Sequence, residues 1–124
     1  MCFKANASRI KHEKYYQERH CNSLNGSVEY VIPKQRRVDC FTEKYAIEYD
    51  FANKIYECLS QARYYGKITG KIPVCALIME DKMRDKRFLD IGTNQNGVEV
   101  ICIGKRGIEI KCPHAANQTE ISSD

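Results

Sequence analysis

Three short segments in the first half of the chain alternate between apolar and polar residues, a pattern typical of half-buried β-strands. They cover residues 27–32, 37–41 and 45–51. The turn segments 33–36 and 42–44 separate them and contain proline and charged residues. Short turns between alternating segments predict a three-stranded antiparallel meander.

Apolar positions at three- and four-residue spacing predict a helix on each side of this meander. The clearer pattern covers about 52–65, and Gly66 and Gly70 follow it as helix-ending residues. A weaker pattern covers about 8–24, with Ser8 as its N-cap.

The second half of the chain predicts further strands separated by one charged helix. Residues 74–79 form a continuous apolar run, which indicates a strand buried on both faces. Residues 80–89 read as a charged helix, 94–97 as a turn, 98–103 as a buried strand and 108–111 as an edge strand. The order αβββαβαβ predicts an α/β fold with a mixed central sheet flanked by helices.

Length and charge limit the classes of protein to consider. The 124 residues suit one domain, which we place at 1–114, followed by a small, polar tail at 115–124 that is predicted to be disordered. No apolar run approaches 18 residues, so no membrane span is expected. The net charge of +4 permits nucleic-acid binding without requiring it.

Seven cysteines are many for a chain of this size: Cys2, Cys21, Cys40, Cys58, Cys75, Cys102 and Cys112. No pair has the C-x-x-C spacing of zinc ribbons or thioredoxin-like sites. Cys58, Cys75 and Cys102 lie in apolar patterns and are interpreted as small core residues. Cys21 and Cys40 could form a disulfide in an oxidising compartment, and the odd total leaves at least one thiol outside any intramolecular pair.

The cellular compartment stays open at this point. Ala5-Asn6-Ala7 resembles the pattern before a signal-peptidase cleavage site, but the apolar stretch expected ahead of it is missing. The sequence is therefore compatible with a cytoplasmic or an exported, periplasmic protein.

Carboxylates occur at corresponding places in the second and third predicted strands. Asp39 lies near the end of the second strand, and Glu48 lies nine residues later within the third. Asp50 shares a strand face with Glu48, and Lys54 and Gln61 follow on the next helix. Mg²⁺ or Mn²⁺ prefers carboxylate oxygens, and a lysine can offset charge that develops on a phosphate. The pattern predicts a metal-dependent phosphodiesterase site.

The element order and these residues resemble the PD-(D/E)XK nuclease superfamily over about residues 15–103. The matching segments are Val38-Asp39-Cys40, 46–52, 61–65 and 69–71. They are similar to small uncharacterised bacterial proteins, Holliday-junction resolvases and RecB-type nuclease domains. The resemblance implies a restriction-endonuclease-like core that cuts DNA with Mg²⁺ or Mn²⁺, and resolvases are generally homodimers.

In that superfamily the strand Asp and Glu bind metal, and a lysine follows the Glu by two residues. Asp39 and Glu48 match the two metal-binding positions, but the lysine is missing from its usual place. Here Asp50 stands in the lysine position, so Lys54 is the candidate lysine and Asp50 a candidate third metal ligand. Gln61 corresponds to the glutamine that the helix often carries, with Tyr65 as its aromatic neighbour.

Glu13 and Glu18 on the first helix could add a further carboxylate. If Lys54 does not reach the site, the chain would be a catalytically inactive module that binds metal or DNA. Arg36, Arg37, Lys105 and Arg106 are the candidates for phosphate contacts; the charges along 80–89 have mixed signs and suit a solvated face.

Two other classes are considered. An exported interaction protein held by a Cys21–Cys40 disulfide would need no catalytic site. A cysteine nucleophile at Cys40 would need a partner among His12, His20 and His114, and no spacing places one of them near it. The cysteine and histidine spacings do not fit a zinc site either.

Overall fold

The computed structural model describes residues 9–91 and 97–113. The helices are α1 (Glu13–Ser23), α2 (Ile55–Thr69) and α3 (Lys82–Asp85). The strands are β1 (Ser27–Ile32), β2 (Arg36–Phe41), β3 (Tyr45–Phe51), β4 (Ile72–Ile78), β5 (Glu99–Ile103) and β6 (Glu109–Ile110). Short 3₁₀ turns cover Pro33–Gln35, Ala52–Lys54 and Lys86–Ile91. The predicted αβββαβαβ order is confirmed, with β6 as an added edge strand.

The strands form one open, mixed, six-stranded sheet in sequence order β1-β2-β3-β4-β5-β6. The meander β1-β2-β3 is antiparallel, as its short turns predict. Strands β3, β4 and β5 are parallel, and β6 returns antiparallel to β5. The α/β class and the mixed central sheet are therefore confirmed.

Helices α1 and α2 pack on opposite faces of this sheet. Tyr16 of α1 lies in a buried cluster with Tyr49 and Ile103. Ile55 of α2 lies in a separate buried cluster with Leu77. Burying one such side chain contributes about 1.5–3 kcal/mol, so the two clusters hold the helices against the strands that carry the candidate site.

Helix α2 is longer than its pattern predicts, and Gly66 does not end it. The helix continues to Thr69, and Gly70 takes the left-handed conformation (φ 75°) that ends a helix. Gly66 instead lies where the helix passes closest to β4, because a Cβ there would lie 2.8 Å from Cβ of Pro73. The glycine is needed for helix–strand contact rather than for termination.

The charged helix predicted at 80–89 is wrong in length, because α3 has only four residues. The Asp81 side chain caps it by accepting from the Arg84 N–H at 3.1 Å. Asp85 is buried, and the Arg84 guanidinium donates to both its oxygens at 2.7 and 3.0 Å. Satisfying a buried carboxylate in this way turns the chain inward and replaces further α-helix by a 3₁₀ turn.

Helix α1 begins at Glu13, and a buried carboxylate at the end of β4 anchors the segment before it. Glu80 accepts hydrogen bonds from the N–H groups of Ile10 and Lys11 (3.1 and 3.0 Å) and from the Tyr16 hydroxyl (2.6 Å). Burial and this bond to a carboxylate both raise the pKa of Tyr16. The N-terminal segment is therefore attached at the carboxyl end of the parallel strands.

Several predictions fall outside the described residues: Ser8 as a cap, the Ala5-Asn6-Ala7 pattern, most of the turn at 94–97 and the tail at 115–124. Within the described ranges, no helix is long and apolar enough to cross a membrane.

Candidate functional site

The meander brings Asp39 beside Glu48. Strands β2 and β3 pair Cys40 with Ile47 and Phe41 with Ala46, and beyond Cys40 the side chains of Asp39 and Glu48 join the two strands. The Asp39 N–H donates to Oε2 of Glu48 at 3.1 Å. The Tyr49 N–H donates to Oδ2 of Asp39 at 2.9 Å. Each carboxylate thus binds the backbone of the neighbouring strand, and the two acidic groups are held together within the sheet.

The strand alternation is interrupted at Asp39, because regular alternation would place Val38 and Cys40 on the same face of β2. Val38 packs with Ala46 and Tyr65 on the α2 side of the sheet. Cys40 packs with the α1 residues on the other side. The interruption frees Asp39 from the regular ladder, and its side chain then reaches the next strand.

Glu29 of β1 lies across from the irregular position in β2. The register pairs Val28 with Cys40 and Tyr30 with Val38, which places Glu29 opposite Asp39. Glu29 has a positive φ of 56°, a conformation that a non-glycine residue adopts only at a cost of about 1 kcal/mol or more.

A glutamine of α1 stabilises this irregular pairing. Nε2 of Gln17 donates to Oε2 of Glu29 and to the carbonyl of Asp39, both at 2.9 Å. Sequence reasoning missed Glu29 and Gln17; the meander pairing across the first hairpin is the signal that could have found Glu29.

Burial is the main cause that raises the pKa of both paired carboxyl groups. Burial, with the nearby charges of Asp39, Asp50 and Glu13, strongly raises the pKa of Glu48. Burial also raises the pKa of Asp39, against the lowering effect of its hydrogen bond from the Tyr49 N–H. The two groups titrate as a pair, and burial favours a state in which the pair retains a proton when no cation is bound.

Two further carboxylates belong to this cluster. Burial and then the charges of Glu13 and Asp39 raise the pKa of Asp50 to about 7. Burial and then the charge of Asp39 raise the pKa of Glu13 to about 7. Of the two residues considered on the first helix, Glu13 is therefore in the cluster, whereas Glu18 is exposed. We call Glu13, Asp39, Glu48 and Asp50 the carboxylate cluster.

Lys54 is exposed and lies beside this cluster. It ends the 3₁₀ turn that joins β3 to α2. Its positive charge lowers the pKa of both Glu13 and Asp50, which partly offsets the rise from burial. Its charge therefore acts on the acidic groups in the direction that the displaced-lysine hypothesis requires.

Gln61 is exposed on α2, and in the described part of the chain its side chain makes no hydrogen bond. Tyr65, one turn later, is buried and packs against Val38 and Ala46. Burial and the charge of Glu48 raise the pKa of Tyr65. Helix α2 therefore runs alongside the carboxylate cluster. The structure shows Tyr65 near Glu48 and shows no such relationship for Gln61 among the described residues.

The oxygen atoms of the carboxylate cluster suit a hard divalent cation, but their arrangement does not. Across residues 9–91 and 97–113, no three His, Cys, Asp or Glu side chains are arranged to hold a metal ion. The donor set is nevertheless all oxygen, and the raised pKa values show acidic groups that lack compensating positive charge. Asp39, Glu48 and Asp50 remain the ligands expected from the sequence, and the described structure does not bring the three together as a metal site.

Three disulfides cross-link the fold: Cys21–Cys40, Cys58–Cys75 and Cys102–Cys112. The first is the pair considered from the sequence. Cys58, Cys75 and Cys102 are buried as predicted, but they are bonded rather than free. A thiol nucleophile at Cys40 is wrong, because its sulfur is bonded to Cys21.

The cross-links also position the candidate site. Cys21–Cys40 joins α1 to β2 at the residue after Asp39, and Cys58–Cys75 joins α2 to β4. Both helices that carry candidate residues are therefore covalently attached to the sheet.

The predicted phosphate-contact residues do not form one group. The Arg36 guanidinium lies over the Tyr64 ring, 5.2 Å from its centroid. Lys105 and Arg106 instead line a groove of about 790 Å³ near α3, together with Lys82 and Arg84. Of these four residues, Arg36 is the one shown near the carboxylate cluster, because Tyr64 precedes Tyr65 on α2.

No protein-family model, no curated protein and no solved structure matches this chain.

Proposed function

We propose that the chain is a metal-dependent nuclease with a restriction-endonuclease-like core, which hydrolyses phosphodiester bonds of DNA. The observation that carries this proposal is the reciprocal pairing of Asp39 and Glu48 beside Asp50, with Lys54 close by. Buried acidic groups with raised pKa values, next to one lysine, are typical of a functional site rather than of a solvated sheet.

Asp39, Glu48 and Asp50 would bind Mg²⁺ or Mn²⁺, which when bound polarises a phosphoryl oxygen and lowers the pKa of a bound water. Lys54 would neutralise charge that builds up on the phosphate in the transition state. Gln61 would orient the attacking water or the phosphate from the flank of α2. Exposed basic residues such as Arg36 would hold the DNA backbone, so binding should weaken steeply with salt.

The second candidate is a binding module on the same fold that has lost catalysis. The sequence feature that favours it is Asp50 in the position where the superfamily has lysine. This candidate predicts that the chain binds DNA or metal without turnover.

The third candidate is an exported interaction protein, and the three disulfides favour it. Disulfides persist in oxidising compartments and are rare in the cytosol. Export is also compatible with a nuclease, so the disulfides bear on location more than on activity.

The deciding experiment is cleavage of supercoiled and branched DNA with Mg²⁺ or Mn²⁺. Wild type is compared with Glu48→Ala and Lys54→Ala. Glu43→Ala and Lys67→Ala are charge-matched controls, because both residues are exposed and lie in the turn before β3 and near the end of α2.

Metal-dependent cutting that is lost in the two site variants and kept in the two controls supports the nuclease and the displaced lysine. Cutting that persists in Lys54→Ala would remove the lysine's role alone. No cutting by wild type with either metal, with DNA still bound, would assign the chain to the binding-module class.

A further inference from the structure

A concave aromatic surface lies between the outer strand β1 and helix α2. We define the aromatic surface by Tyr30, Phe41, Tyr64 and Ile68, which line a cavity of about 420 Å³. Tyr30 and Tyr64 are 42% and 41% exposed, so much of each ring is open to solvent. Exposed aromatic rings gathered in one concavity indicate a binding surface.

Two of its rings stack on each other. Tyr30 and Phe41 have ring centroids 4.2 Å apart and planes within 7° of each other. Their residues lie on neighbouring strands, so the sheet holds the stacked pair in place. A base can stack on an outer face of this pair, because the two inner faces already cover each other, and one stacked base contributes about 1–3 kcal/mol.

Positive charges surround the rings. The Arg36 guanidinium lies 5.2 Å from the Tyr64 centroid, and Nζ of Lys71 lies 5.0 Å from the Phe41 centroid. Lys34 also lines the cavity, and among the described residues none that lines it is acidic. Arg36 and Lys71 lie over ring faces, so the positive charge is next to the outer ring face on which a base would stack and suits the phosphates of that strand.

Buried side chains connect the aromatic surface to the carboxylate cluster. Tyr65 follows Tyr64, with ring centroids 5.3 Å apart, and packs against Val38 and Ala46. Val38 directly precedes Asp39, and Ala46 is two residues before Glu48. The aromatic surface and the carboxylates are therefore supported by the same part of the core.

We propose that the aromatic surface binds unpaired bases of single-stranded DNA and directs the adjoining phosphate to the carboxylate cluster. The direction toward the cluster rests on the proposed nuclease function, whereas the binding of bases does not. Stacked bases of a duplex present only their edges, so the ring faces favour a single strand or an unpaired branch.

The test measures binding without cleavage. Fluorescence anisotropy in EDTA compares a labelled single-stranded oligothymidine with a hairpin duplex of equal charge. The variants Tyr30→Leu and Tyr64→Leu remove a ring while keeping apolar volume. Tyr56→Leu is the matched control, because Tyr56 is 70% exposed in the first turn of α2 and does not line the cavity.

We expect wild type to prefer the single strand. Tyr30→Leu and Tyr64→Leu should each weaken that binding about 5- to 100-fold, the range of one lost stacked base, with little change for the duplex. Tyr30→Phe should retain binding, which separates loss of a ring from loss of the fold. Equal affinity for duplex and single strand, or variants that bind like Tyr56→Leu, would overturn the proposal.

Sedimentation of the same samples tests whether a second copy of the chain covers the aromatic surface instead. A dimer that Tyr30→Leu dissociates, with no effect on DNA affinity, would also overturn the proposal. Binding is measured without metal and cutting in the separate assay with Mg²⁺ or Mn²⁺. Ring-dependent binding with no cutting in the metal assay contradicts only the nuclease, and cutting without ring-dependent binding contradicts only this inference.

Discussion

Asp39 and Glu48 lie beside each other on β2 and β3, and each carboxylate accepts a hydrogen bond from a backbone N–H of the opposite strand. Such bonds fix both side chains without neutralising them. Burial raises the pKa of both groups, and the charge of Asp39 raises that of Glu48 further. Ionising both groups in the metal-free fold therefore costs stability.

Glu48→Gln should stabilise the metal-free protein at pH 8 while reducing metal-dependent cutting at least about 100-fold. The amide oxygen can still accept from the Asp39 N–H, and an amide has no proton to lose. The cost of keeping a carboxyl group protonated above its pKa in the unfolded chain therefore disappears. We expect a gain of roughly 1–3 kcal/mol in the free energy of unfolding, measured by urea denaturation in EDTA.

The effect of Glu48→Gln on stability should depend on pH. Because the folded pKa of Glu48 is raised, its contribution to stability is complete below about pH 4.5 and is lost as pH rises. The advantage of Glu48→Gln should therefore shrink at pH 4.5. Glu43→Gln, at an exposed turn residue, should change neither stability nor cutting. A Glu48→Gln protein less stable than wild type at pH 8 would contradict the account.

The Cys58–Cys75 disulfide should contribute about 3 kcal/mol to stability, since it closes a loop with a sequence separation of 17. The double variant Cys58→Ala/Cys75→Ala should lose that amount in urea denaturation under oxidising conditions. Under reducing conditions the difference from wild type should largely vanish, which is the control for packing changes.

Alkylation of the unreduced, denatured protein should modify at most one cysteine per chain. Six of the seven cysteines are paired in the described structure. Mass spectrometry after reduction should find seven. If all seven react without reduction, the three cross-links do not exist in the protein.

His20 should make the fold less stable as the pH falls below about 6.5. Its ring is buried, and Nδ1 lies 2.7 Å from the Tyr49 hydroxyl. Burial lowers its pKa, and the half-exposed Glu109, 3.9 Å from Nε2, opposes this only in part. The folded state therefore binds a proton less readily than the unfolded state does.

Comparing variants isolates this contribution from the carboxylates, which shift stability in the opposite direction. The stability of His20→Gln relative to wild type should improve as pH falls from 7 to 5. His12→Gln, at an exposed residue, should follow wild type throughout. A constant difference between His20→Gln and wild type across this range would show that His20 does not titrate in folding.

Much of the sheet follows from the pattern of the sequence, because alternation and short turns are local signals. Strands β1 and β3 match their predicted bounds, and the pairing of Asp39 with Glu48 follows from the meander. The contribution of Glu13 depends on how α1 crosses the sheet. That packing is not local, so the sequence could only offer Glu13 as one of two candidates.

The irregular features were not predictable for the same reason. The interrupted alternation at Asp39 depends on Glu29 and Gln17, which come from two other elements. The disulfide partners of Cys58 and Cys102 depend on which elements become neighbours, since connectivity does not follow from cysteine spacing.

Gly66→Ala should destabilise the protein, although alanine is the better helix former by about 1 kcal/mol. A Cβ at residue 66 would lie 2.8 and 2.9 Å from Cβ and Cγ of Pro73, whose ring cannot turn away. Helix α2 would have to move off β4, and crowding of this kind costs about 1–3 kcal/mol. We expect a net loss of roughly 1–2 kcal/mol in urea denaturation.

Two matched variants separate the effect of helix propensity from the effect of the contact between residues 66 and 73. Ser60→Ala, at an exposed position in the same helix, should gain a few tenths of a kcal/mol. Pro73→Ala introduced into Gly66→Ala should recover most of the loss, because the two residues act through one contact. If Gly66→Ala instead stabilises the protein as Ser60→Ala does, the close approach of α2 to β4 is not what requires glycine. The position of Tyr65 against the carboxylate cluster would then depend on the side chains of α2 alone.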